Sequence, residues 1–166
     1  MAGNHAQTDI MTSRKPPARR RAANGGKPED GSYVLDNQVG FILRQVSQRH
    51  AVIFDELIGE GITPTQWAAL AKLQEIGPTS QNLLGRLTAM DAATIKGVVL
   101  RLNKRHLVET GPDPEDARRL VVRLTEQGRR LAKKLTPRAA AISQVTMAPL
   151  APDEQTRLIA ILTKLR

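Results

Sequence analysis

Apolar residues recur along this chain at steps of three, four and seven, the spacing of one face of an α-helix. Leu35, Val39, Ile42, Val46, Ile53 and Leu57 form the first such stripe and predict a helix from Tyr33 to about Gly59, about 40 Å long. Arg49 and His50 interrupt it, and Gly61-Ile62 breaks it. Thr63-Pro64-Thr65-Gln66 then reads as a helix start, with Thr63 as N-cap, Pro64 in the first turn and Gln66 completing a capping box. Trp67, Leu70, Leu73 and Ile76 are expected to face inward until Gly77-Pro78 ends the helix. Thr79 or Ser80 caps a short helix with Leu83, Leu84 and Leu87 inward. Asp91 caps the next, whose inward face is Ile95, Val98, Val99 and Leu102. Ala93, Gly97, Leu100, Arg101 and Lys104 fall roughly opposite that face.

After His106-Leu107 the period changes. LVET and RLVVRLT read as two strands around GPDPEDAR, which has the Gly, Pro and Asp that turns need. Thr125 is a plausible N-cap for a fifth helix with Leu131, Leu135, Ile142 and Val145 on one stripe and a kink expected at Pro137. Pro149 and Pro152 close it. The final helix opens on Asp153 and Glu154 and ends on Lys164 and Arg166, the charge order its dipole favours. Its stripe of Leu158, Ile161, Leu162 and Leu165 packs either on helix five or, as the favoured reading, in a dimer interface built with helix one. The expected fold is mainly α with a small two-stranded β-wing, a winged helix-turn-helix dimerised through its N- and C-terminal helices.

Composition narrows what such a fold does. The chain has 166 residues, 40% apolar but only 2% aromatic, so one aliphatic core is expected. Its net charge is +9, which points to a polyanionic partner, most often nucleic acid. The first 32 residues hold six bases and three acids, so the remainder is basic in its own right. Residues 1–31, with Arg14, Lys15, Arg19, Arg20 and Arg21 among Pro and Gly, read as a disordered basic arm. It either reaches DNA or serves as a solubilising tail. The absence of cysteine excludes disulfides and thiol redox switches. With His5 in the arm and only His50 and His106 elsewhere, no metal site is expected. No apolar run approaches the roughly 18 residues of a membrane span, and no apolar segment follows the basic N-terminal residues. A cytoplasmic protein with no membrane partner is expected.

The order of elements and the segment DARRLVVRLTEQG resemble the MarR family (multiple-antibiotic-resistance regulators). Asp116, Arg118, Leu124, Thr125 and Gly128 stand where that family has Asp-x-Arg, Leu-Thr and Gly. GITPTQWAALAKL is similar to the family's segment between dimer helix and DNA-binding lobe, and LNKRHLVET to its Leu-x-x-x-Gly-Leu-Val. The resemblance covers roughly residues 35 to 165. It implies an obligate homodimer in which residues 32–60 and 126–166 are dimerisation helices of a domain spanning 32–166. Residues 62–125 would form the winged helix-turn-helix lobe. It further implies a repressor on a palindromic operator, released by a small phenolic or aromatic acid. Two positions depart from the family pattern. His106 replaces the usual Gly, and Gly97 stands where a larger polar residue is common.

The residues then take roles. Ser80, Gln81 and Asn82 are phosphate candidates at a helix start, Thr94, Lys96 and Arg101 are candidates for the major groove, and Lys104 is a further DNA-binding candidate. Leu100 is placed to touch a thymine methyl. Arg118, with Arg119 beside it, is the minor-groove candidate, and Asp116 is expected to hold the Arg118 guanidinium. Arg44, Arg49 or His50 could pair the carboxylate of an effector stacked on Trp67, in a crevice between helix one and the Trp67 helix. Nothing calls for a cofactor. No nucleotide-binding glycine loop or Ser/His/Asp set is visible, so an enzyme is not expected. The alternative is a winged-helix DNA-binding or assembly module without a small-molecule effector.

Overall fold

In the computed structural model, which describes residues 33–113, 116, 118 and 120–166, helix α1 spans Val39–Ile58. The predicted basic arm and Arg119 lie outside the described residues. Helix α1 begins later than its apolar stripe predicts. Leu35–Asn37 form a 3-10 turn, and Gln38 is extended (φ −87°, ψ 129°), so the stripe enters the helix only at Val39. The burial also differs. Ile53, Phe54 and Ile58 are buried, whereas Leu35, Val39, Ile42, Leu43 and Val46 are exposed. The helix is anchored by its last turns, and its first turns carry an uncovered apolar face.

Helix α2 (Pro64–Ile76) starts as its sequence dictates. The Thr63 hydroxyl accepts the Gln66 backbone N–H at 3.3 Å, and the Gln66 side chain accepts the Thr63 N–H at 3.1 Å. Ala69, Leu70 and Leu73 fill the core, and Trp67 packs against it half-buried. Ile76, expected inward, is 42% exposed because the last turn runs past the core. Thr79 pairs with Val122 through two backbone bonds (3.1 and 2.8 Å), adding a bridge to the sheet. The cap of α3 (Gln81–Leu87) is therefore Ser80, whose Oγ accepts the Leu83 N–H. Of the three leucines expected inward on α3, only Leu84 is buried. Leu83 and Leu87 are exposed, and the second inward position is Gly85. A Cβ at Gly85 would lie 3.1 Å from both Ile95 Cγ2 and the Met90 carbonyl, so this glycine lets α3 lie close on α4.

Helix α4 (Ala92–Lys104) buries Ile95, Val98, Val99 and Leu102, the face its spacing predicts. Strand β1 (Val108–Pro112) pairs antiparallel with β2 (Leu120–Leu124), from Val108 opposite Leu124 to Pro112 opposite Leu120. Glu109 and Arg123 face each other in this register and form an ion pair of 2.8 Å. Helix α5 (Glu126–Met147) continues through the exposed Pro137 and buries Ala132, Leu135 and Ile142. Leu131 packs partly against the core, and Val145, expected on the same stripe, is 44% exposed. Helix α6 (Pro152–Thr163) buries no residue at all. The core thus lies between the C-terminal turns of α1, helices α2 to α4, the sheet and the first two-thirds of α5. No helix among the described residues is long and apolar enough to cross a membrane.

The junction of α4 with the wing explains the Leu-Thr-x-x-Gly segment. The Thr125 hydroxyl donates to the His106 carbonyl at 2.6 Å and accepts the Gly128 N–H at 3.0 Å. It caps α5 and ties it to the end of α4 in one group. His106 itself is left-handed (φ 56°), the conformation in which its Cβ is unfavourable and glycine is not. His106→Gly is therefore expected to stabilise the fold by about 1 kcal/mol, after allowing for the larger entropy glycine loses on folding. Thermal denaturation would register this as a rise in Tm of roughly 2–4 °C. An unchanged or lower Tm would show that the backbone at 106 is not under that constraint.

Candidate nucleic-acid interface

Helix α4 owes its position to its cap and its buried face, and both leave its outer row free. The Asp91 carboxylate accepts the Thr94 N–H at 2.7 Å and its hydroxyl at 3.0 Å; these bonds hold the Asp91 carboxyl below its ordinary pKa. Thr94, a major-groove candidate in sequence, thus has its hydroxyl hydrogen committed to the cap. Along the outer face Lys96, Leu100, Arg101, Asn103 and Lys104 are exposed, Leu100 at 56%. An apolar side chain this open on a basic helix has no packing role among the described residues.

A shallow groove runs beside that row, lined by Gln81 of α3, Lys96, Val99, Leu100 and Asn103 of α4, and Thr110 of β1. Gln81 and Lys96, both chosen from sequence, are brought together here. Asn103 and Thr110 were missed. Asn103 was legible, since it lies three residues after Leu100 and seven after Lys96 on the same helical face. Thr110 was not, because its place depends on how the wing folds against α4. Arg86 and Asn82 line a separate hollow against Met90 and Ala92 at the other end of α4. Ser80 uses its side-chain oxygen as the α3 cap.

Gly97 has no packing reason to be glycine. A Cβ there would meet only the Arg101 guanidinium, at 3.3 Å, and that end of a flexible side chain can move. The bare backbone lets Arg101 lie back along the helix. In the wing, Asp116 does not hold the Arg118 guanidinium as expected. Its Oδ1 accepts the Arg118 backbone N–H at 3.0 Å, an Asx-type turn that shapes the loop and leaves the exposed Arg118 side chain to point elsewhere.

Of the four effector candidates, Arg49 and His50 meet at Thr146, and the others do not join them. Arg49 donates to the carbonyls of Thr146 (2.6 Å) and Val145 (3.2 Å), so its guanidinium joins α1 to the last turn of α5. Arg44 is exposed on α1, and Trp67 packs against the core from α2. His50 alone enters a groove, of about 380 Å³, between α1, α5 and α6. Leu43, Val46, Leu158 and Leu162 supply its apolar wall, and Ser47 and Ser143 its polar edge. Thr146 Oγ1 donates to the Ile142 carbonyl (2.8 Å) and so must accept from His50 Nδ1 (2.9 Å). That assigns the proton to Nδ1 and leaves Nε2 for another partner. Among the described residues, no group of three or more His, Cys, Asp or Glu side chains is placed to hold a metal ion.

Comparison with known proteins agrees with this geometry. Residues 60–119 match the model of the MarR family. The chain is 40% identical over 134 residues to the HTH-type transcriptional repressor NicR of Pseudomonas putida, covering 80% of this chain and 85% of that one. A crystal structure of a probable transcriptional regulator from Pseudomonas aeruginosa superposes with a TM-score of 0.77 at 53% identity, over 80% of this chain and all of that one. BpsR of Bordetella bronchiseptica, whose DNA binding is regulated by 6-hydroxynicotinic acid, superposes with a TM-score of 0.77 at 37% identity, over 81% of this chain and 97% of that one. With its helices, its two-stranded wing and these relatives, the chain is a winged-helix member of the MarR family of transcriptional regulators.

Proposed function

We propose that the chain is a homodimeric repressor that binds a palindromic operator and releases it when a small aromatic acid binds. Residues 62–125 act as the DNA-binding lobe, and residues 32–60 and 126–166 as the dimerisation helices. The observation that carries the reading is the exposed row Lys96, Leu100, Asn103 on α4, flanked by Arg101 and Lys104 and adjoining the wing. Such a row fits a major groove, where Lys or Arg donates to guanine, Asn pairs with adenine, and an apolar side chain meets the thymine methyl. Arg118 at the wing tip takes the flanking minor groove, while Gln81 and Lys104 add phosphate contacts. In a competition assay, promoter DNA holding the operator should displace labelled operator far better than random DNA. Arg118→Ala should weaken operator binding at least tenfold without lowering Tm. Equal competition by random DNA would favour a non-specific packaging or assembly module, and unchanged affinity in Arg118→Ala would remove the wing from the interface.

The dimer is supported by what the single chain leaves uncovered. Helix α6 buries nothing, and Ile159, Ile161, Leu162 and Leu165 are exposed together with Val39, Ile42, Leu43 and Val46 of α1. A helix this short is marginal in water unless one face is packed, and an apolar surface of this extent marks an interface. Two copies related by a two-fold axis would present two α4 helices to two half-sites, which is why the operator is expected to be palindromic. The double variant Ile161→Glu, Leu165→Glu should shift the protein to a monomer in sedimentation velocity and abolish operator binding. A wild-type protein that sediments as a monomer at micromolar concentration would contradict this.

For the effector, the groove beside His50 has the size and mixed lining of a small-ligand site, and because Leu43, Val46 and Leu162 also belong to the dimer face, the partner subunit would close its open side. His50 Nε2, left with its lone pair, would accept the hydroxyl of a hydroxylated aromatic acid over an apolar floor. 6-Hydroxynicotinic acid, which regulates DNA binding in BpsR, is the first compound to test. It should raise Tm and lower operator affinity, and His50→Ala should lose both effects while remaining dimeric. A full response in His50→Ala would move the effector out of this groove.

A further inference from the structure

The loop from α1 to α2 contains three consecutive residues of positive φ, Gly59 (68°), Glu60 (58°) and Gly61 (59°). Glycine adopts this region freely, but a glutamate does so only when its surroundings impose it. Here they do. Arg105, the residue after α4, donates from Nη1 to the Gly61 carbonyl at 2.9 Å and from Nη2 to the Glu60 carbonyl at 2.7 Å. From α5, Arg138 donates to the carbonyl of Ile58, the last residue of α1, at 3.0 Å. Lys134 donates to the Glu60 carboxylate at 2.6 Å. The Lys134 bond and charge hold the Glu60 carboxyl below its ordinary pKa, with Arg138 and Arg105 adding to the effect. Gly59 is favoured by its backbone, and a Cβ there would lie 2.8 Å from Arg138 Nη1, so a side chain would push that guanidinium off the Ile58 carbonyl.

The loop is thus gripped from two sides, by the residue that ends α4 and by two cations of α5. A basic residue at the end of a DNA-reading helix would ordinarily be given to phosphate. The Arg105 guanidinium is instead bonded to two successive protein carbonyls, a forked geometry that a lysine ammonium cannot reproduce. We propose that Arg105 is a positioning residue, one that fixes the tilt of α4 by locking its end to the loop that Lys134 and Arg138 lock to α5. The inference rests on the DNA-reading role of α4. Its consequence is that a displacement of α1 against α5 reaches α4 through residues 59–61, not only through the apolar core.

The test uses the full chain and the variants Arg105→Lys, Arg105→Ala and Lys134→Met. In amide hydrogen exchange on the free protein, all three should exchange faster across residues 60–62 and across the last turn of α4. Lys134→Met is the informative one, because its amine bonds the loop from α5. With operator DNA, both Arg105 variants should lose about fivefold or more in affinity, within the range of coupling through packed networks. The slope of log affinity against log salt should stay that of wild type, because no phosphate contact is lost. Wild-type affinity in Arg105→Lys, or a slope shallower by about 0.9 in Arg105→Ala, would make Arg105 a phosphate contact and overturn the proposal. Unchanged exchange at the end of α4 in Lys134→Met would overturn it as well. If wild type fails to prefer operator over random DNA, the repressor reading fails instead, and the exchange measurement still decides whether the clamp joins α5 to α4.

Discussion

A Cβ at Gly128 would overlap the carbonyl oxygen of Leu107, and because none is there the first turn of α5 seats directly on the chain leaving α4. That contact decides much of the architecture. It lets the Thr125 backbone N–H reach the Leu107 carbonyl at 3.1 Å while the Thr125 hydroxyl reaches His106. The base of the wing is closed at the same point, since Val108 pairs with Leu124 one residue further on. Helix α4, both strands and α5 therefore meet at one site, and the left-handed turn at His106 is what brings the chain into it. A larger residue at 128 would separate α4 and the wing from α5.

From that junction the outer surfaces follow. The buried face of α4 holds its outer row in place, so Lys96, Leu100 and Asn103 stand on a rigid element and not on a loop. The wing is stiffened by the Glu109–Arg123 pair and by the bridge from Thr79 to Val122, which ties the start of α3 to the sheet. Backbone groups shape what the side chains cannot. Asp116 spends its carboxylate on the Arg118 N–H, and Asp91 spends its own on Thr94. These two carboxylates build a turn and a cap, where Glu109 instead pairs with Arg123.

At the other end the balance is reversed. The N-terminal turns of α1 and all of α6 present apolar side chains that the other described residues do not cover. Arg49 bonds the last carbonyls of α5, so this end is held by hydrogen bonds where the core has run out. The molecule is thus divided between a basic, well-packed half and an apolar, underpacked one. The Arg105 fork and the Lys134 and Arg138 contacts lie at the join.

The sequence by itself determined the elements and their local starts. Periodicity is set by side-chain direction, so the inward face of α4 was readable. Caps are local chemistry, so Thr63, Asp91 and Thr125 were readable too. The wing's Asp-x-Arg and Leu-Thr-x-x-Gly spacing carried the family. Tertiary structure decided what periodicity cannot weigh: which turns of a stripe are covered. Phe54 is buried and Val39 exposed, Leu84 buried and Leu83 exposed, although each looks equally apolar in sequence. It also decided the partners of charged groups. Arg105 and Arg49 reach carbonyls more than forty residues away, and nothing in their local sequence separates them from the open cations Lys96 and Arg101. Long-range hydrogen bonds leave no periodic trace, because they depend on where the chain returns, and that is fixed only when the core closes.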